Sequence, residues 1–420
     1  MKNLLRLRTL ILIWLSWALI MIGYQIYVAA RFQPSRPDNA LSWTANETRR
    51  NSNDGKIYLL EPFLNDHVAW DSEYYLSIAV GGYDDPAMRA VPPNFSWNSP
   101  ILKPKGEEPT WTSQNYSFFP LYPTVMRFVM IPLQVFGLTA IATATLAGVL
   151  VSLLGTLGAM VALWDLARDD LGESGARRAA FYLLILPGSM FLAQIYTEGL
   201  FLGLSFGALA LARRDKWLWA ALLAALAVWT RAAGFLLLVP MIWYWFQNGH
   251  FTKLRLKFSL PELGIVVLLF VPLLSWLLWN IVIGTPFQFV STTYYSRGIL
   301  LLDESRKAWE TAWTALTTGH PNSQAYYLVE FASIAFGVFC SLWMLRRYPA
   351  LALYSLLVIF FSLTSGVAQG MHRYVLAAPV IFLLPANWGK HEAFDRAWTL
   401  GNVLLMGVFA AMFTFDYWAG

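Results

Sequence analysis

Residues 139–166 read TAIATATLAGVLVSLLGTLGAMVALWDL, and this stretch decides the fold class. It holds a single charged residue, Asp165, and it exceeds the about 20 apolar residues that an α-helix needs to cross a bilayer. Similar runs recur on both sides of it, so that 57% of the chain is hydrophobic and 13% is charged. Soluble domains carry about 25% charged residues. The sequence therefore predicts an all-α polytopic membrane protein, not a soluble domain or a barrel of short alternating strands.

Basic residues give the orientation of the spans, because cytoplasmic loops are enriched in lysine and arginine. The short basic loops are 168–178, 213–216, 253–257, 346–347 and 390–396. With these loops inside, the apolar runs form spans at about 9–30, 139–166, 179–194, 198–212, 217–229, 233–246, 263–283, 326–345, 351–365, 374–385 and 399–415. The sequence thus predicts about 11 transmembrane helices, several of them shorter than a typical span.

A large first outer loop, 31–118, follows the first span. It is polar and rich in Pro, Asn and Trp, and we expect its second half to carry short interfacial helices. The next segment, 119–138, is apolar but contains Arg127 and several prolines. A full span here would move the later basic loops to the outside. The positive-inside rule therefore favours an interfacial or re-entrant helix for this segment.

Composition also excludes several classes of protein. The net charge is +5, but the basic residues form no separate domain for nucleic acid. The only cysteine, Cys340, excludes an intramolecular disulfide. The run 9–30 is longer than the apolar core of a signal peptide and lacks a clear cleavage site, which favours a retained anchor. No phosphate loop, dinucleotide fingerprint or His-Glu-x-x-His motif is present.

Charged residues from separate segments fall on the same, outer side of the predicted membrane. They are Asp71, Glu198, Arg231, Arg297 and the pair His372 and Arg373. The positive-inside rule does not explain charges on this side, so we interpret them as candidates for a functional site.

The most informative acidic segment is Trp70-Asp71-Ser72-Glu73-Tyr74-Tyr75 in the outer loop. Asp71 can cap the N-terminus of a short helix, or it can take a proton from an attacking hydroxyl. Glu73 would point away from Asp71 on that helix, which favours a structural role. Asp84 and Asp85 form either a turn or a metal-binding pair. The residues alone leave these choices open.

The remaining charged candidates also have two interpretations each. Glu198 begins an apolar helix, where it suits the helix dipole, or it takes part in the site. Arg231 and Arg373 either extend along the membrane interface or bind phosphate. His372 either binds phosphate beside Arg373 or is solvated at the interface.

Ordered blocks along most of the chain carry a family resemblance. The blocks are Trp70-Asp71 with Tyr74-Tyr75-Leu76, Ser117-Phe118-Phe119-Pro120-Leu121-Tyr122-Pro123, Pro187-Gly188-Ser189-Met190-Phe191, Tyr196-Thr197-Glu198-Gly199-Leu200-Phe201, Thr230-Arg231-Ala232-Ala233-Gly234 and Met371-His372-Arg373-Tyr374. In this order they resemble the PIG-V-like mannosyltransferases of the glycosyltransferase C superfamily. The resemblance implies a multi-span glycosyltransferase that uses a polyprenyl-phosphate-linked sugar, typically mannose, at the outer or luminal face. It also implies that the acid of the first outer loop, Asp71, is catalytic.

We therefore expect an inverting glycosyltransferase that moves a sugar from a polyprenyl-phosphate donor to a glycolipid or glycan acceptor among the membrane lipids. Asp71 is the expected catalytic base. The expected substrate-binding residues are Trp70, Tyr74, Glu198, Arg231, Arg297, His372 and Arg373, and the scheme requires no cofactor and no metal. The membrane would be the plasma membrane of a bacterium or the endoplasmic reticulum of a eukaryote.

The alternatives to a glycosyltransferase are a lipid or solute transporter and a non-catalytic membrane scaffold. Transporters tend to show internal repeats, and none is apparent here.

Overall fold

A computed structural model describes residues 2–49, 56–88, 90–91, 112–256, 260–283 and 285–420, and these residues are mostly helical. The α-helices are α1 (Lys2–Arg31), α2 (Thr44–Glu47), α3 (Ser72–Val80), α4 (Leu121–Leu133), α5 (Ala140–Ile185), α6 (Glu198–Arg213), α7 (Trp217–Val228), α8 (Leu238–Gln247), α9 (His250–Leu256), α10 (Leu260–Leu269), α11 (Val271–Ile283), α12 (Thr285–Thr293), α13 (Leu302–Thr318), α14 (Pro321–Met344), α15 (Pro349–Leu363), α16 (Met371–Tyr374), α17 (Val380–Trp388) and α18 (Glu392–Thr414). The predicted helical architecture is confirmed.

Short elements connect these helices. The 3₁₀-helices are Ile57–Leu59, Asn65–His67, Gln114–Ser117, Gln134–Phe136, Pro187–Ala193, Ala232–Leu237 and Val375–Ala377. Two-residue strands β1 (Ala90–Val91) and β2 (Thr112–Ser113) pair antiparallel, with Ala90 opposite Ser113. Residues 92–111 of the predicted outer loop lie outside the described residues, as do residues 50–55.

The number of full-length spans differs from the prediction. Among the described residues, four helices are long and apolar enough to cross a membrane, and counting two bent helix pairs raises the number to six. The four are Leu7–Arg31, Ala140–Ile185, Pro321–Met344 and Glu392–Thr414. The bent pairs are Pro187–Ala193 with Glu198–Arg213 and Leu260–Leu269 with Val271–Val282. The predicted count of about 11 is therefore not confirmed.

Helix length is the physical reason for the difference. Three predicted spans correspond to the shorter apolar helices Trp217–Val228, Ala232–Gln247 and Pro349–Leu363. A helix of 12 residues, such as α7, is about 18 Å long, whereas the hydrocarbon core is about 30 Å thick. The predicted loop 168–178 instead lies within the 46 residues of α5, which is kinked at Gly172, where φ is +67°.

Close packing between α5 and α6 fixes where α6 begins. A Cβ atom on Gly199 would lie 2.2 Å from the Ser152 carbonyl oxygen, and one on Gly203 would lie 2.5 Å from the Gly155 carbonyl oxygen. Small residues allow helix backbones to approach in this way. Because Gly199 directly follows Glu198, this contact also fixes the position of the Glu198 carboxylate.

The described part of the outer loop is held by a buried carboxylate. Asp85 accepts hydrogen bonds from the Tyr58 hydroxyl, from Ser77 Oγ at 2.8 Å and from the Ala87 N–H at 3.0 Å. These contacts belong to a structural turn, the first of the two alternatives for Asp84 and Asp85. Asp84 accepts from the Tyr116 hydroxyl at 2.9 Å.

The short helix α3 is fixed at its C-terminal end by the next apolar segment. Arg127 of α4 donates from Nε to the Ala79 carbonyl at 2.9 Å and from Nη2 to the Ile78 carbonyl at 2.7 Å. A cation at this end satisfies carbonyls that have no partner within the helix. The segment 119–138 thus contains α4 and the 3₁₀-helix Gln134–Phe136. Its predicted interfacial position in the bilayer stays a prediction.

A buried histidine joins the outer loop to the helical bundle. His67 Nδ1 lies 3.1 Å from the Ala193 carbonyl oxygen and 3.0 Å from Gln194 Oε1. Gln194 in turn donates to Gln25 of α1 at 3.0 Å. Burial lowers the pKa of His67 to about 4, so the ring is neutral at physiological pH. This network holds the approach to Asp71 against the connection between α5 and α6.

Candidate active site

A cavity of about 850 Å³ brings most of the predicted site residues together. Its wall includes Trp70, Asp71, Tyr74, Glu198, Arg231, Arg297 and Arg373. These residues come from the loop before α3, α3 itself, the start of α6, the loop after α7, the segment after α12 and the short helix α16. The predicted convergence of distant segments is therefore present in the structure. His372 is the predicted site residue that does not line this cavity.

Asp71 occupies the N-cap position of α3, but its side chain makes no capping hydrogen bond. Its Oδ2 atom instead lies 3.4 Å from Nη1 of Arg373, and 34% of the side chain is exposed. The Asp71 N–H donates to the Tyr196 hydroxyl at 3.2 Å, and that hydroxyl donates to the Ala69 carbonyl at 3.3 Å. The carboxylate is thus held at the cavity wall by its backbone and by one arginine.

Glu198 is the buried anion at the centre of the charge cluster. It is the first residue of α6, where a carboxylate favours the positive end of the helix dipole. Its Oε1 atom pairs with Nη1 of Arg231 and lies 3.2 Å from Nε of Arg373, while the side chain is 3% exposed. The Oε2 atom is buried and accepts no hydrogen bond in the described part of the chain. Glu198 therefore has one oxygen committed to arginine and one without a protein donor.

Three arginines surround the ring of Tyr374. The guanidinium carbons of Arg231, Arg297 and Arg373 lie 4.9, 5.4 and 4.9 Å from the ring centroid. The Tyr374 hydroxyl also accepts from Arg373 Nη2 at 2.9 Å. An aromatic face attracts cations within about 6 Å, so the ring supports three like charges in a small space.

Arg297 differs from the other two arginines in its partners. Its backbone N–H donates to the Ser291 carbonyl at 2.8 Å, which fixes the segment after α12. Among the residues that the structure describes, no carboxylate lies within ion-pairing distance of its guanidinium. Arg297 is half-buried and faces the cavity. Its positive charge is therefore available to an anion that enters the cavity.

The prediction that His372 binds phosphate is corrected by the direction of its ring. Nδ1 lies 2.7 Å from Glu330 Oε1, and Nε2 lies 2.6 Å from the Ala419 carbonyl oxygen. Glu330 also accepts from the N–H groups of Gly370 and Met371, at 3.1 and 2.5 Å. His372 and Glu330 thus fix the turn that presents Arg373, and the imidazole itself points away from the cavity.

Tyrosines form much of the wall beside Asp71. Tyr74 stacks on Phe118 with ring centroids 4.6 Å apart, and its hydroxyl donates to Gln114 Oε1 at 2.8 Å. Tyr75 is buried, and burial together with the carboxylates of Asp71 and Glu198 raises the pKa of its hydroxyl. That hydroxyl stays protonated at physiological pH. Glu73 is also buried and reaches the same cavity.

Sequence reasoning missed two residues that organise the site, although both lie in blocks that it quoted. Tyr374 supports the three arginines, and Tyr196 holds the backbone of Asp71. The available signal was their position directly next to Arg373 and near Glu198 in the chain. Tyrosine at a membrane interface is common, so the residue type alone does not indicate a site.

The described residues include no group of three or more His, Cys, Asp or Glu side chains arranged to hold a metal ion. The cavity wall instead combines carboxylates, arginines and tyrosines. Such a wall can bind a phosphate through arginine and accept a proton at a carboxylate.

Comparison with known families gives a match over the middle of the chain. A model of the mannosyltransferase (PIG-V) family matches residues 89–318, which is more than half of the 420 residues. The matched region contains Glu198, Arg231 and Arg297. Asp71 and Arg373 lie outside it.

Two curated relatives are similar over a shorter region. GPI alpha-1,6-mannosyltransferase 2 of Mus musculus is 31% identical over 181 residues, which cover 42% of this chain and 31% of the relative. The protein of the same description from Cricetulus griseus is 30% identical over 184 residues, again covering 42% of this chain and 31% of the relative. The match thus spans about a third of the length of these relatives.

Two solved structures are similar at low sequence identity. ArnT from Cupriavidus metallidurans bound to undecaprenyl phosphate has a TM-score of 0.45 and 15% identity, covering 86% of this chain and 75% of that chain. The Archaeoglobus fulgidus oligosaccharyltransferase in complex with Zn and sulfate has a TM-score of 0.46 and 14% identity, covering 96% of this chain and 53% of that chain.

Proposed function

The chain belongs to the mannosyltransferase (PIG-V) family, and on this basis we propose that it is an inverting, polyprenyl-phosphate-dependent mannosyltransferase of the membrane. In this proposal it moves mannose from a polyprenyl-phosphate donor to a lipid or glycan acceptor at the outer face. The observation that carries the proposal is the cavity that holds the Asp71 carboxylate beside three arginines. The family match gives no support to the alternative of a lipid or solute transporter.

Asp71 is the base in this proposal. Its Oδ2 atom lies 3.4 Å from Nη1 of Arg373, while the other carboxylate oxygen has no protein partner in the described part of the chain. An acceptor hydroxyl gives its proton to this carboxylate as its oxygen attacks the anomeric carbon of the donor sugar. The bond between that carbon and the phosphate oxygen breaks, and the electron pair leaves with the phosphate. The anomeric configuration inverts because attack and departure occur on opposite faces.

The arginines stabilise the charge that develops on the leaving phosphate. A polyprenyl phosphomonoester carries more negative charge than the diester from which it forms. Arg231, Arg297 and Arg373 present guanidinium groups around one tyrosine ring, and guanidinium binds phosphate oxygens through paired N–H donors. Donors fixed before the reaction lower the barrier without reorganisation, so no proton needs to be given to the leaving group.

Glu198 has two functions in the proposed site. Its Oε1 atom fixes Arg231 and Arg373 through ion pairs. Its buried Oε2 atom has no donor in the described residues, and an unpaired carboxylate oxygen is costly to bury. We assign it to a hydroxyl of the donor sugar, which would supply the missing hydrogen bond and orient the ring.

The lipid part of the donor fits the apolar section of the cavity wall. Trp276, Phe287 and Phe361 line this section, beside helices α11, α12 and α15. Aromatic and aliphatic surface of this kind favours the first isoprene units of a polyprenyl chain over water. The phosphate would then lie where the apolar wall meets the arginines.

The experiment uses the purified full chain in liposomes with polyprenyl-phosphate-mannose labelled in the sugar and a membrane glycolipid extract as acceptor. We expect labelled mannose in a new glycan product, with the anomeric configuration opposite to that of the donor. Retained configuration would contradict the single-displacement mechanism. Movement of intact labelled donor across the bilayer with no product would favour the transporter instead.

A further inference from the structure

Three tryptophans from distant parts of the chain meet at one end of the cavity. Trp43 precedes α2, Trp70 precedes Asp71, and Trp418 follows α18. Their ring centroids lie 5.6 Å apart for Trp43 and Trp70, 5.1 Å for Trp70 and Trp418, and 4.8 Å for Trp43 and Trp418. All three line the cavity, and Trp43 is 37% exposed. We call this group the tryptophan end.

An ion pair between a buried lysine and a half-buried glutamate belongs to the tryptophan end. Lys56 Nζ lies 5.4 Å from the centroid of the Trp70 ring and 3.2 Å from Glu47 Oε2. The Lys56 side chain is 7% exposed and Glu47 is 29% exposed. Both side chains line the cavity. Donors and acceptors of hydrogen bonds thus stand beside aromatic surface.

The tryptophan end is distinct from the arginine cluster. In the part of the chain that the structure describes, the guanidinium groups of Arg231, Arg297 and Arg373 lie over phenylalanine and tyrosine rings and over no tryptophan ring. Asp71 connects the two regions, because it pairs with Arg373 and directly follows Trp70 in the chain. Both regions therefore adjoin Asp71, the arginine cluster through an ion pair and the tryptophan end through the chain.

Backbone geometry supports a binding role for Trp70. Its φ is +56°, a left-handed conformation that is unfavourable for residues other than glycine. Such conformations persist where the surroundings hold them and are frequent at ligand sites. The side chain is held by its two tryptophan neighbours and by a hydrogen bond from Nε1 to the Tyr417 carbonyl at 3.4 Å.

We infer that the tryptophan end binds a saccharide unit of the acceptor, an inference that rests on the proposed function. The apolar C–H face of a sugar ring packs on indole, while its hydroxyls donate to Glu47 and accept from Lys56. In-line displacement requires the acceptor hydroxyl to approach the anomeric carbon opposite the leaving phosphate. The tryptophan end adjoins the proposed base, because Trp70 directly precedes Asp71 in the chain and lines the same cavity. The acceptor therefore carries a glycan at the point of transfer.

The test compares Trp43→Leu with Trp43→Phe and Glu47→Gln in the full chain. The acceptor probes are a mannose-terminated glycolipid and its deacylated, water-soluble glycan. We expect Trp43→Leu and Glu47→Gln to raise the KM for both probes by about tenfold, and Trp43→Phe to stay within about threefold of the unmodified chain. The dissociation constant of the labelled donor stays unchanged. Melting temperatures show that the variants are folded.

Calorimetric titration of the deacylated glycan separates this inference from the proposed function, because it requires no turnover. Binding by the unmodified chain and its loss in Trp43→Leu support the saccharide site even if no mannose is transferred. Equal glycan binding by all variants overturns it. A KM that rises for the glycolipid alone also overturns it, because the tryptophans then contact the lipid part.

Discussion

At the scale of single residues, the site is a row of alternating charge. Asp71 contacts Arg373, Arg373 contacts Glu198, and Glu198 contacts Arg231. Each charge in the row has a partner of opposite sign, which is what allows such groups to be buried. Arg297 lies beside this row, and no carboxylate among the described residues forms an ion pair with it. The arginines therefore have different functions, although all three face the same tyrosine.

This difference predicts opposite behaviour for two substitutions. Arg231→Gln removes one of two cations from a Glu198 side chain that is 3% exposed, and breaking a buried pair costs about 3 kcal/mol. The melting temperature should fall. Arg297→Gln breaks no ion pair of the described residues, so the melting temperature should stay unchanged. Loss of one charge-assisted contact should weaken donor binding by about tenfold.

Arg306→Gln is the matched control for both arginine variants. Arg306 pairs with Glu310 on α13, and both side chains are 61% exposed, so neither stability nor donor binding should change. Unchanged donor binding in Arg297→Gln would remove this residue from the phosphate site. An equal fall in melting temperature for Arg231→Gln and Arg297→Gln would contradict the distinction between them.

At the scale of secondary-structure elements, the interface between α5 and α6 determines the position of Glu198. In Gly199→Ala, the new methyl group would lie 2.2 Å from the Ser152 carbonyl oxygen and 2.8 Å from Thr156 Oγ1. Both atoms belong to α5, so α6 must shift, at a cost of about 1–3 kcal/mol. We expect a lower melting temperature and strongly reduced turnover.

Gly158→Ala is the control on the same interface. Its Cβ atom would lie 3.7 Å from the nearest heavy atom, the Cα of Gly203, which is an ordinary van der Waals distance. Melting temperature and turnover should both be preserved. Full activity in Gly199→Ala would show that the start of α6 does not need this contact.

The attachment of the outer loop to the bundle predicts a pH dependence of stability. His67 has a pKa of about 4 in the folded protein, because burial disfavours the charged ring, against about 6.5 in an unfolded chain. Between these values the unfolded chain binds more protons, so stability falls as the pH falls from 6.5 toward 4. At pH 5 the loss is about 2 kcal/mol.

Thermal unfolding of the purified chain at pH 7 and pH 5 measures this effect. The melting temperature should be lower at pH 5 than at pH 7. This decrease should be smaller in His67→Gln. Glutamine can still donate to the Ala193 carbonyl oxygen, which His67 Nδ1 contacts at 3.1 Å. An equal fall in both proteins would show that other groups cause the acid sensitivity.

At the scale of the whole molecule, the outer loop and the basic loops should lie on opposite sides of the membrane. Cys340 is buried and is first replaced by alanine so that its thiol cannot react. Asp84→Cys and Lys253→Cys then place single thiols at exposed positions in the outer loop and in α9. A membrane-impermeant maleimide applied to intact cells should label the first variant only. Labelling of both variants from outside would contradict the orientation.

Apolar runs and basic loops were sufficient to predict the helical fold and the gathering of Asp71, Glu198, Arg231 and Arg373. The helical fold depends on composition, which a sequence records directly. The gathering of the charges was inferred from a shared membrane side, which stays a prediction. The number of full-length spans was not predictable in this way. A helix of 12 residues such as α7 has the composition of a span, but its length is compatible with a membrane only when its neighbours support it.

The directions in which side chains point were the second feature that could not be predicted from the sequence. His372 and Arg373 are adjacent, yet the imidazole contacts Glu330 and the guanidinium contacts Asp71. Glu330 lies about 40 residues earlier in the chain, in α14, and no local pattern marks it as their partner. The role of Tyr374 was not predictable for the same reason, because the arginines around its ring come from three separate segments.

Donor binding and turnover in Asp71→Asn and Asp84→Asn test directly whether Asp71 is the base. Both acids lie in the outer loop, but Asp71 faces the cavity and Asp84 contacts Tyr116 outside it. We expect Asp71→Asn to bind labelled donor about as well as the unmodified chain. Its turnover at saturating donor should fall by about 10²–10⁴-fold, the usual contribution of a general base. Asp84→Asn should turn over normally. Turnover by a folded Asp71→Asn protein at the rate of the Asp84→Asn control would contradict a role of Asp71 as the base.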